Sequence, residues 1–291
     1  MLTSSRTCFF FNDTATTEIY TLSLHDALLI SQNYLDRKEA RRMDRFAQLA
    51  AVAAKEACQQ AHLDPKDGDP YRVGVIIGSG IGGIITLSQQ FEVLSARGPR
   101  RVSPFLIPMM LADMASAQVS MVTGAMGANY CLVSSCSSGA DALGQAWEMI
   151  RRGQEDVMLA GGSEAPIFPI AVAGFNSMRA LSRFNENPQK ASRPFDAARD
   201  GFVMAEGAAV LVLESQQSAE ARGVTPLAEL LGYGATSDAH HLTEPGPSGQ
   251  DRKSTRLNSS HKPISYAGLC LKKKQLTNRV CSRPRTNNDH I

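Results

Sequence analysis

The residue best placed for covalent chemistry is Cys136, which stands in the run Ser-Ser-Cys-Ser-Ser-Gly-Ala. An apolar stretch near 129–134 predicts a strand before it, and residues 138–152 predict a helix after it. A thiol at a helix N-terminus meets partial positive charge, which favours the nucleophilic thiolate, and backbone N–H groups there can face an oxyanion. The alternative is a buried structural cysteine, as we expect for Cys58 and Cys131. The small residues around Cys136 leave its sulfur unshielded and keep both interpretations open.

A second motif, Gly-Ser-Gly-Ile-Gly-Gly at 78–83, follows a predicted strand at 71–77 and precedes a predicted helix that ends near Arg97. Its form fits the dinucleotide fingerprint, in which glycines bring the backbone close to a pyrophosphate. That fingerprint also needs an acidic residue after a second strand, about 20 residues further on. Residues 98–104 instead read Gly-Pro-Arg-Arg-Val-Ser-Pro. A tight strand-to-helix turn is therefore favoured, and a nucleotide site is the alternative.

Basic side chains form a third candidate site. They are Lys38, Arg41, Arg42, Arg45, Arg100, Arg101 and Arg179. The first four recur at intervals of three and four residues, so a single helix predicted over 34–62 would place them on one face. A solvated helix face is the ordinary explanation, and docking of an acidic partner is the alternative.

Strands and helices alternate along the part of the chain that carries these residues. We predict strands near 71–77, 129–134, 155–160, 208–213 and 227–234, with helices over 34–62, 83–97, 108–122 and 138–152 between them. Strands separated by helices indicate a layered α/β fold. We expect the five strands to form one sheet with the helix that follows Cys136 packed on it.

Composition excludes several classes of protein. The chain has 291 residues, of which 43% are hydrophobic and 20% charged, as in an ordinary globular protein. No apolar run reaches the ~18 residues that a membrane-spanning helix needs. None of the six cysteines forms a Cys-x-x-Cys pair, so the signature of zinc ribbons and thioredoxins is missing.

The net charge of +2 hides an asymmetry between the middle of the chain and its ends. Residues 33–250 hold 19 basic and 23 acidic residues, a net charge of −4, and the rest of the chain holds 11 basic and 5 acidic residues. A basic tail is typical of nucleic-acid binding. The origin of the two ends therefore decides whether a nucleic-acid partner is expected.

Both ends of the chain resemble translated sequencing adapters. Residues 12–30 match the translation of a common short-read adapter except at Leu29, where the adapter encodes proline. Residues 251–261 match the translation of its companion adapter without a difference. We therefore predict that residues 1–31 and 251–291 are non-native and irregular, or form helices without a buried apolar face, and we expect no functional residue in them. The alternative is a genuine disordered basic tail. If the ends are adapter-derived, the basic charge is not native and no nucleic-acid partner is expected.

Seven short motifs in order along residues 33–250 resemble the elongating β-ketoacyl-[acyl-carrier-protein] synthases. The motifs are Cys136-Ser-Ser-Gly, Ala160-Gly-Gly-Ser-Glu, Gly174-Phe, Arg179-Ala-Leu-Ser, Ser192-Arg-Pro-Phe-Asp, Arg199-Asp-Gly-Phe-Val and Ser237-Asp-Ala-His-His-Leu-Thr. Synthase II of bacterial fatty-acid synthesis is the most similar type. The resemblance implies a thiolase-like layered α/β sandwich, of which residues 32–250 hold essentially the N-terminal half. It also implies a homodimer located in the cytoplasm, without a membrane segment.

The same resemblance implies an acyltransferase that performs a decarboxylating Claisen condensation between a cysteine-bound acyl chain and malonyl-carrier protein. A polyketide ketosynthase fragment shares every motif quoted and is an alternative, as is a truncated half-domain without catalysis. Substrates would be carried on the phosphopantetheine arm of acyl-carrier protein, with no separate cofactor and no metal.

Individual residues take roles from the resemblance. Cys136 matches the nucleophile, and its backbone N–H matches half of the oxyanion hole. Ile81 and Phe175 match residues that line or gate the acyl pocket, and Thr243 matches a position beside the phosphopantetheine arm. The residues matching the carrier-protein docking patch are Lys38, Arg41, Arg42, Arg100, Arg101 and Arg179. This resemblance assigns the glycine motif to acyl binding, against a nucleotide site.

Several parts that the family needs for condensation are not found in this sequence. The family uses two histidines in its second half, a Gly-Phe-Gly turn and a first strand that should precede Asn33; His62, His240 and His241 stand in other contexts. We therefore expect no imidazole within ~3.5 Å of Cys136, and no condensing activity. We also expect apolar surface around Leu143, Trp147 and Ile150 to be exposed, so that the chain aggregates.

Overall fold

The computed structural model describes the backbone of residues 7–10, 34–241 and 266–273, and the side chains of residues 34–241. The strands of this part are β1 (Thr7–Phe10), β2 (Val73–Gly78), β3 (Asn129–Tyr130), β4 (Val157–Glu164), β5 (Gly207–Ser215), β6 (Ala228–Thr236) and β7 (Tyr266–Lys273). They form one sheet in the order β3-β2-β4-β5-β1-β6-β7. Strand β2 pairs in parallel with β3 and β4, and the other neighbours are antiparallel. The five predicted strands therefore lie in one sheet, as expected.

Helices cover both faces of this sheet. Their bounds are α1 (Arg37–Ala40), α2 (Arg45–Gln60), α3 (Ile84–Arg97), α4 (Leu106–Met110), α5 (Met114–Thr123), α6 (Ser138–Arg151), α7 (Pro169–Ser177) and α8 (Gln216–Ala221). None of the helices among the described residues is long and apolar enough to cross a membrane.

The alternation of side chains along β2 explains the two layers. Val73, Val75 and Ile77 belong to a core cluster with α2 and α5, whereas Ile76 belongs to a second cluster with α6. Successive strand residues point to opposite faces, and a strand covered on both faces is apolar throughout. All six residues of β2 are buried. The molecule is therefore a helix–sheet–helix sandwich, which confirms the predicted α/β class.

The predicted helix over 34–62 is two helices, and the prediction of one continuous helix is wrong. Asp36 caps α1 by accepting hydrogen bonds from Lys38 N and Glu39 N. Asp44 is buried at the N-cap of α2, and its Oδ2 accepts from Thr86 N at 2.9 Å and Thr86 Oγ1 at 2.6 Å. Because this carboxylate is held by α3, the chain turns between the two helices, which hydropathy alone does not reveal.

Two further helical predictions need correction. The predicted helix over 108–122 is divided into α4 and α5, because Leu111 adopts an extended conformation at ψ 135°. Helix α7 lies between the predicted strands at 155–160 and 208–213, where we predict no helix. Its buried face is reduced to Ala171, so its apolar periodicity is weak.

Short segments of both ends enter the sheet, so the expectation that residues 1–31 and 251–291 are irregular is wrong for them. Strand β1 pairs with β5 and β6, and β7 pairs with β6 over Ala228–Thr236. The reason is general, since a strand without a neighbour presents unpaired N–H and C=O groups that any extended segment can satisfy. The adapter origin of the two ends stays a prediction.

The expected apolar surface on α6 is also absent among its described residues. Ile150 is 2% exposed, and Leu143 and Trp147 are partly buried against the cluster that includes Met158 and Leu213. Strands β5 and β6 extend the sheet beyond β4 and cover this face of α6. Because these strands cover α6, the predicted aggregation loses its basis.

Candidate active site

Cys136 lies on a sharp turn between strand β3 and helix α6. Residues 135–137 form one 3₁₀ turn that leads directly into α6 at Ser138. Ser135 has φ 54°, in the left-handed region that costs energy for a residue with a Cβ. The thiol of Cys136 is exposed, and its backbone N–H has no hydrogen-bond acceptor within residues 34–241. The predicted placement at a helix N-terminus is confirmed, and the nucleophile role stays a prediction.

Hydroxyl groups on both sides of Cys136 hold this turn. Ser137 Oγ donates to the Ser134 carbonyl at 2.9 Å, and Ser138 Oγ donates to the Ser135 carbonyl at 2.7 Å. The Ser134 amide in turn donates to Ser138 Oγ at 3.0 Å. These bonds connect the backbone on the N-terminal side of Cys136 to the hydroxyl groups of Ser137 and Ser138 on its other side. The serines around Cys136 therefore determine the backbone of the turn as well as leaving the sulfur accessible.

Asp141 connects the turn to strand β6, and sequence reasoning did not identify it. One oxygen of its carboxylate accepts hydrogen bonds from Ser134 Oγ and Ser137 Oγ, and the other accepts from the Tyr233 hydroxyl. Burial raises the pKa of the Tyr233 phenol well above its usual value, and the bond to Asp141 adds to this shift. The position of Asp141, one turn into α6 and close to Cys136, is the only indication of its role in the sequence. Its partner Tyr233 lies 92 residues away.

Glycines let the start of α6 approach the sheet closely. A Cβ added at Gly78 would lie 2.3 Å from the Ser138 carbonyl oxygen, and one added at Gly162 would lie 3.1 Å from Gly139 Cα. Side chains at these positions would push α6 away from β2 and β4. The Cys136 turn is therefore pressed onto the carboxyl ends of the two central parallel strands.

The glycine motif at 78–83 surrounds a carboxylate of the chain itself. Glu164, the last residue of β4, accepts from Gly80 N at 2.6 Å and from Ile81 N at 3.2 Å through Oε2. Its Oε1 accepts from Ser79 Oγ at 3.2 Å. Because Glu164 occupies the N–H groups that a phosphate would need, the structure favours the tight-turn interpretation over a nucleotide site.

Glu164 is held by neutral donors alone within the described residues. Burial raises the pKa of this carboxyl above its usual value, and hydrogen bonds from Gly80, Ser79 and Ile81 oppose that effect. No lysine, arginine or histidine of residues 34–241 forms an ion pair with it. Glu164 is the last residue of the motif Ala160-Gly-Gly-Ser-Glu, but nothing in the sequence indicates its contact with the glycine loop.

The two predicted acyl-pocket residues lie on different elements. Ile81 is 40% exposed in the glycine loop, which lies against the Cys136 turn, since a Cβ added at Gly80 would come within 3.7 Å of the Ser135 carbonyl oxygen. Phe175 lies on α7, and its ring packs edge-on against Phe202 with centroids 5.2 Å apart. An apolar cleft runs along α7, but neither predicted pocket residue lines it. Thr243 lies outside the described residues.

Six of the seven predicted basic residues are exposed, and they lie on three separate segments of the chain. Lys38, Arg41 and Arg42 are exposed around α1, and the Arg42 guanidinium lies 5.2 Å from the centroid of the Phe105 ring. That contact brings the α1 segment beside the loop that carries the exposed Arg100 and Arg101. Arg179 is exposed after α7 with φ 56°.

Arg45 does not belong to the exposed face on which the sequence placed it. Its Nε lies 2.7 Å from Glu206 Oε2, and the two side chains are only 15% and 7% exposed. The break between α1 and α2 turns Arg45 inward, which a single helix would not do. Arg45 is therefore structural, whereas the other six basic residues stay candidates for docking.

Two other described cysteines differ from Cys136. Cys58 is buried in α2, and burial raises the pKa of its thiol to about 12. Cys131 is half-buried, and burial likewise raises the pKa of its thiol. Within residues 34–241 Cys136 has no hydrogen bond to an imidazole, and no group of three potential metal ligands is found there.

Comparison with known proteins identifies relatives of the chain. Residues 18–219 match the family described as "Beta-ketoacyl synthase, N-terminal domain". The match begins inside the segment that we assign to an adapter, and that assignment stays untested. The chain is 51% identical over 219 residues to 3-oxoacyl-[acyl-carrier-protein] synthase 2 of Staphylococcus aureus. The matched region covers 75% of this chain and 53% of that protein. The chain thus spans about half the length of the curated relatives it matches.

Solved structures agree with the sequence comparison. A beta-ketoacyl synthase from Burkholderia phymatum is 36% identical with a TM-score of 0.68, covering 75% of this chain and 53% of that chain. A ketosynthase in complex with its type II polyketide acyl-carrier protein is 37% identical with a TM-score of 0.64, covering 69% and 51%. The expected thiolase-like architecture is thereby supported for the described sheet and helices. The family match over most of the sequence, together with these likenesses, means that the chain belongs to the β-ketoacyl synthase family.

Proposed function

We propose that the whole protein is a β-ketoacyl-[acyl-carrier-protein] synthase of fatty-acid elongation, and that Cys136 accepts its acyl chain. The observation that carries this proposal is the exposed thiol of Cys136 at the start of α6, directly after Ser135 in the left-handed conformation. Backbone strain, as at Ser135, and close packing of glycines are typical of turns that keep a nucleophile exposed in a fixed position. Neither Cys58 nor Cys131 has such a setting.

The first half-reaction needs only the residues around this turn. The Cys136 thiolate attacks the thioester carbonyl of an acyl-carrier protein, and the carbon–sulfur bond to the phosphopantetheine arm breaks as its thiolate leaves. Negative charge develops on the carbonyl oxygen in between. The unpaired N–H of Cys136 is suited to stabilise that charge, because a preorganised donor in place before reaction lowers the barrier.

The second half-reaction needs groups beyond this sequence. Malonyl-carrier protein loses carbon dioxide, and the carbanion attacks the acyl-cysteine to form the β-ketoacyl thioester and release the Cys136 thiolate. In the family two histidines stabilise the developing enolate, and neither of their contexts occurs in these 291 residues. The present chain is therefore proposed to accept an acyl group without condensing it.

Carrier-protein docking is proposed for Lys38, Arg41, Arg42, Arg100, Arg101 and Arg179. The contact between Arg42 and Phe105 supports a joint surface for the first five, and a similar ketosynthase is known in complex with its acyl-carrier protein. Opposite charge would orient the acidic partner before contact. A homodimer, a cytoplasmic location and the absence of any cofactor other than the phosphopantetheine arm belong to the same proposal.

Acylation of the unmodified chain tests the proposal. The 291-residue chain is mixed with acyl-carrier protein bearing a saturated acyl chain, and peptide mass spectrometry locates the acyl group. We expect it on Cys136 and expect none in C136A, while C131A is acylated as the unchanged chain is. Acylation of Cys131 or Cys58 at the rate of Cys136 would refute the assignment. A cerulenin-like electrophile should show the same selectivity, because Cys58, with its pKa near 12, holds a thiol at pH 8.

A polyketide ketosynthase is the second candidate. It is supported by the likeness to a ketosynthase of type II polyketide synthesis. The two functions differ in the chain that Cys136 receives. Faster loading with saturated acyl chains than with β-oxoacyl chains supports fatty-acid synthesis, and the reverse order supports polyketide synthesis.

A further inference from the structure

The loop between β2 and α3, residues 79–83, depends on one carboxylate for most of its backbone hydrogen bonds. Glu164 accepts directly from Gly80 N and Ile81 N. It also accepts from Ser79 Oγ, and that oxygen accepts from Gly82 N at 3.1 Å. Gly83 N donates instead to the Met110 carbonyl at 3.0 Å. Three of the four loop amides that follow Ser79 are thus held by Glu164 directly or through Ser79.

The loop backbone is fitted to this carboxylate and to the Cys136 turn at once. A Cβ added at Gly80 would lie 3.0 Å from Glu164 Oε2 and 3.7 Å from the Ser135 carbonyl oxygen. Gly82 has φ 71°, and a Cβ there would lie 2.9 Å from the Met110 carbonyl oxygen. The loop therefore has little freedom while Glu164 is in place. Its one large side chain is Ile81, which is 40% exposed.

We propose that Glu164 is a positioning residue that holds Ile81 beside the Cys136 turn and so determines which lengths of acyl chain Cys136 accepts. The inference rests on the proposed function, because it takes Ile81 to line the acyl pocket. The hydrogen-bond partners of Glu164 among the described residues are Ser79, Gly80 and Ile81, and Cys136 is not one of them. It acts through the backbone of Gly80 and Ile81, whose amides have no second acceptor within residues 34–241. A wall of an apolar pocket discriminates between chain lengths only if its position is constant.

Substitutions at Glu164 separate positioning from folding. In E164A the donors Ser79 Oγ, Gly80 N and Ile81 N lose their acceptor. The loop that carries Ile81 then gains conformational freedom. In E164Q the amide oxygen can still accept from Gly80 N and Ile81 N, so the loop should be retained. Glu155 provides the matched control, since it is a buried carboxyl at the opposite end of β4 that accepts from Ala128 N at 2.8 Å. E155Q should alter stability without affecting the loop.

The experiment measures how fast Cys136 of the full 291-residue chain is acylated by hexanoyl and by tetradecanoyl carrier-protein thioesters. We expect the unchanged chain to prefer one of the two, and expect E164A to reduce that preference by at least about threefold. E164Q and E155Q should keep it. Iodoacetamide, which has no acyl chain, should alkylate Cys136 at the same rate in all four proteins. Should E164A fail to fold, E164D replaces it, because its shorter side chain cannot reach both amides.

The possible failures are distinguishable. An unchanged preference in E164A or E164D, or equal loading of both thioesters by the unchanged chain, would overturn the role of Glu164 alone. A reduced preference in E155Q would also overturn it, because loss of stability would then be sufficient. Absence of acylation by either thioester would overturn the proposed function, and this inference with it.

Discussion

The Tyr233 hydroxyl donates a hydrogen bond to the Asp141 carboxylate, which also accepts from Ser134 and Ser137 beside Cys136. Strand β6 is thereby connected to the turn that carries the exposed thiol. The contact also occupies the space over Gly144, where an added Cβ would lie 2.2 Å from the Tyr233 ring. Helix α6 and β6 consequently fit together through one polar and one steric contact.

Tyr233→Phe should lower the free energy of unfolding by about 1 kcal/mol, since it removes the hydroxyl from a partly buried bond. The pKa of Tyr233 is raised in the folded protein, so the unfolded state loses the phenol proton first as pH rises. The advantage of the unchanged chain over Y233F is therefore complete below about pH 10 and shrinks above it. Urea unfolding at pH 7.5 and at pH 10.5 checks this, and an advantage that grows with pH would contradict it.

Gly161→Ala should be strongly destabilising. An added Cβ would lie 1.9 Å from the Ala209 carbonyl oxygen, between the paired strands β4 and β5. Relief requires the backbone to move, at a cost of about 2 kcal/mol or more. Gly174→Ala in α7 is the control, because nothing lies within 4 Å of its added Cβ and alanine favours a helix. Equal melting temperatures for the two variants would count against the described register.

Arg45→Met should cost about 3 kcal/mol of stability, because it leaves the buried Glu206 carboxylate without its partner. Glu206 Oε1 also accepts from Ile167 N at 3.0 Å, so the double variant R45M/E206Q keeps that bond and removes the charge. We expect it to recover much of the loss. Arg151→Met, at an exposed pair with Glu148, should cost less than about 1 kcal/mol. Urea midpoints are the measurement, and an equal cost at both arginines would refute the inward position of Arg45.

Arg42→Glu should weaken binding of acyl-carrier protein by about tenfold at low salt, and less as salt rises, since the attraction is screened. Arg152→Glu, an exposed arginine at the end of α6, serves as the control of equal charge change. Fluorescence anisotropy of labelled carrier protein provides the affinities. Equal losses in the two variants would indicate a general charge effect instead of a docking surface around α1.

The purified 291-residue chain should form no β-ketoacyl thioester from malonyl-carrier protein, even when Cys136 has been acylated. Condensation needs a group that stabilises the enolate, and Cys136 has no imidazole partner within residues 34–241. Product analysis by mass spectrometry, with acylated Cys136 quantified in the same sample, provides the test. Malonyl-dependent product formation would refute the prediction and require the roles of His62, His240 and His241 to be reconsidered.

Local patterns were sufficient for the elements with a continuous apolar face. Strand β2 is buried on both faces and reads as an apolar run, and α6 has small and apolar residues at helical spacing. The run of small residues around Cys136 likewise predicted its position before a helix, because serine and glycine favour turns and helix starts. It left an accessible nucleophile and a buried structural cysteine as alternatives. Seven motifs in order were enough to indicate the family.

Polar contacts between distant residues depended on the folded chain. Glu164 meets Gly80 across 84 residues, and Asp141 meets Tyr233 across 92. Arg45 turns inward because a distant carboxylate, Glu206, accepts it. Short segments of the ends enter the sheet because β5 and β6 would otherwise present unpaired edges. Periodicity records which face of an element avoids water, and that property is local. Which carboxylate finds which donor is settled only when the packed sheet and helices bring them together and exclude the water that would otherwise satisfy both.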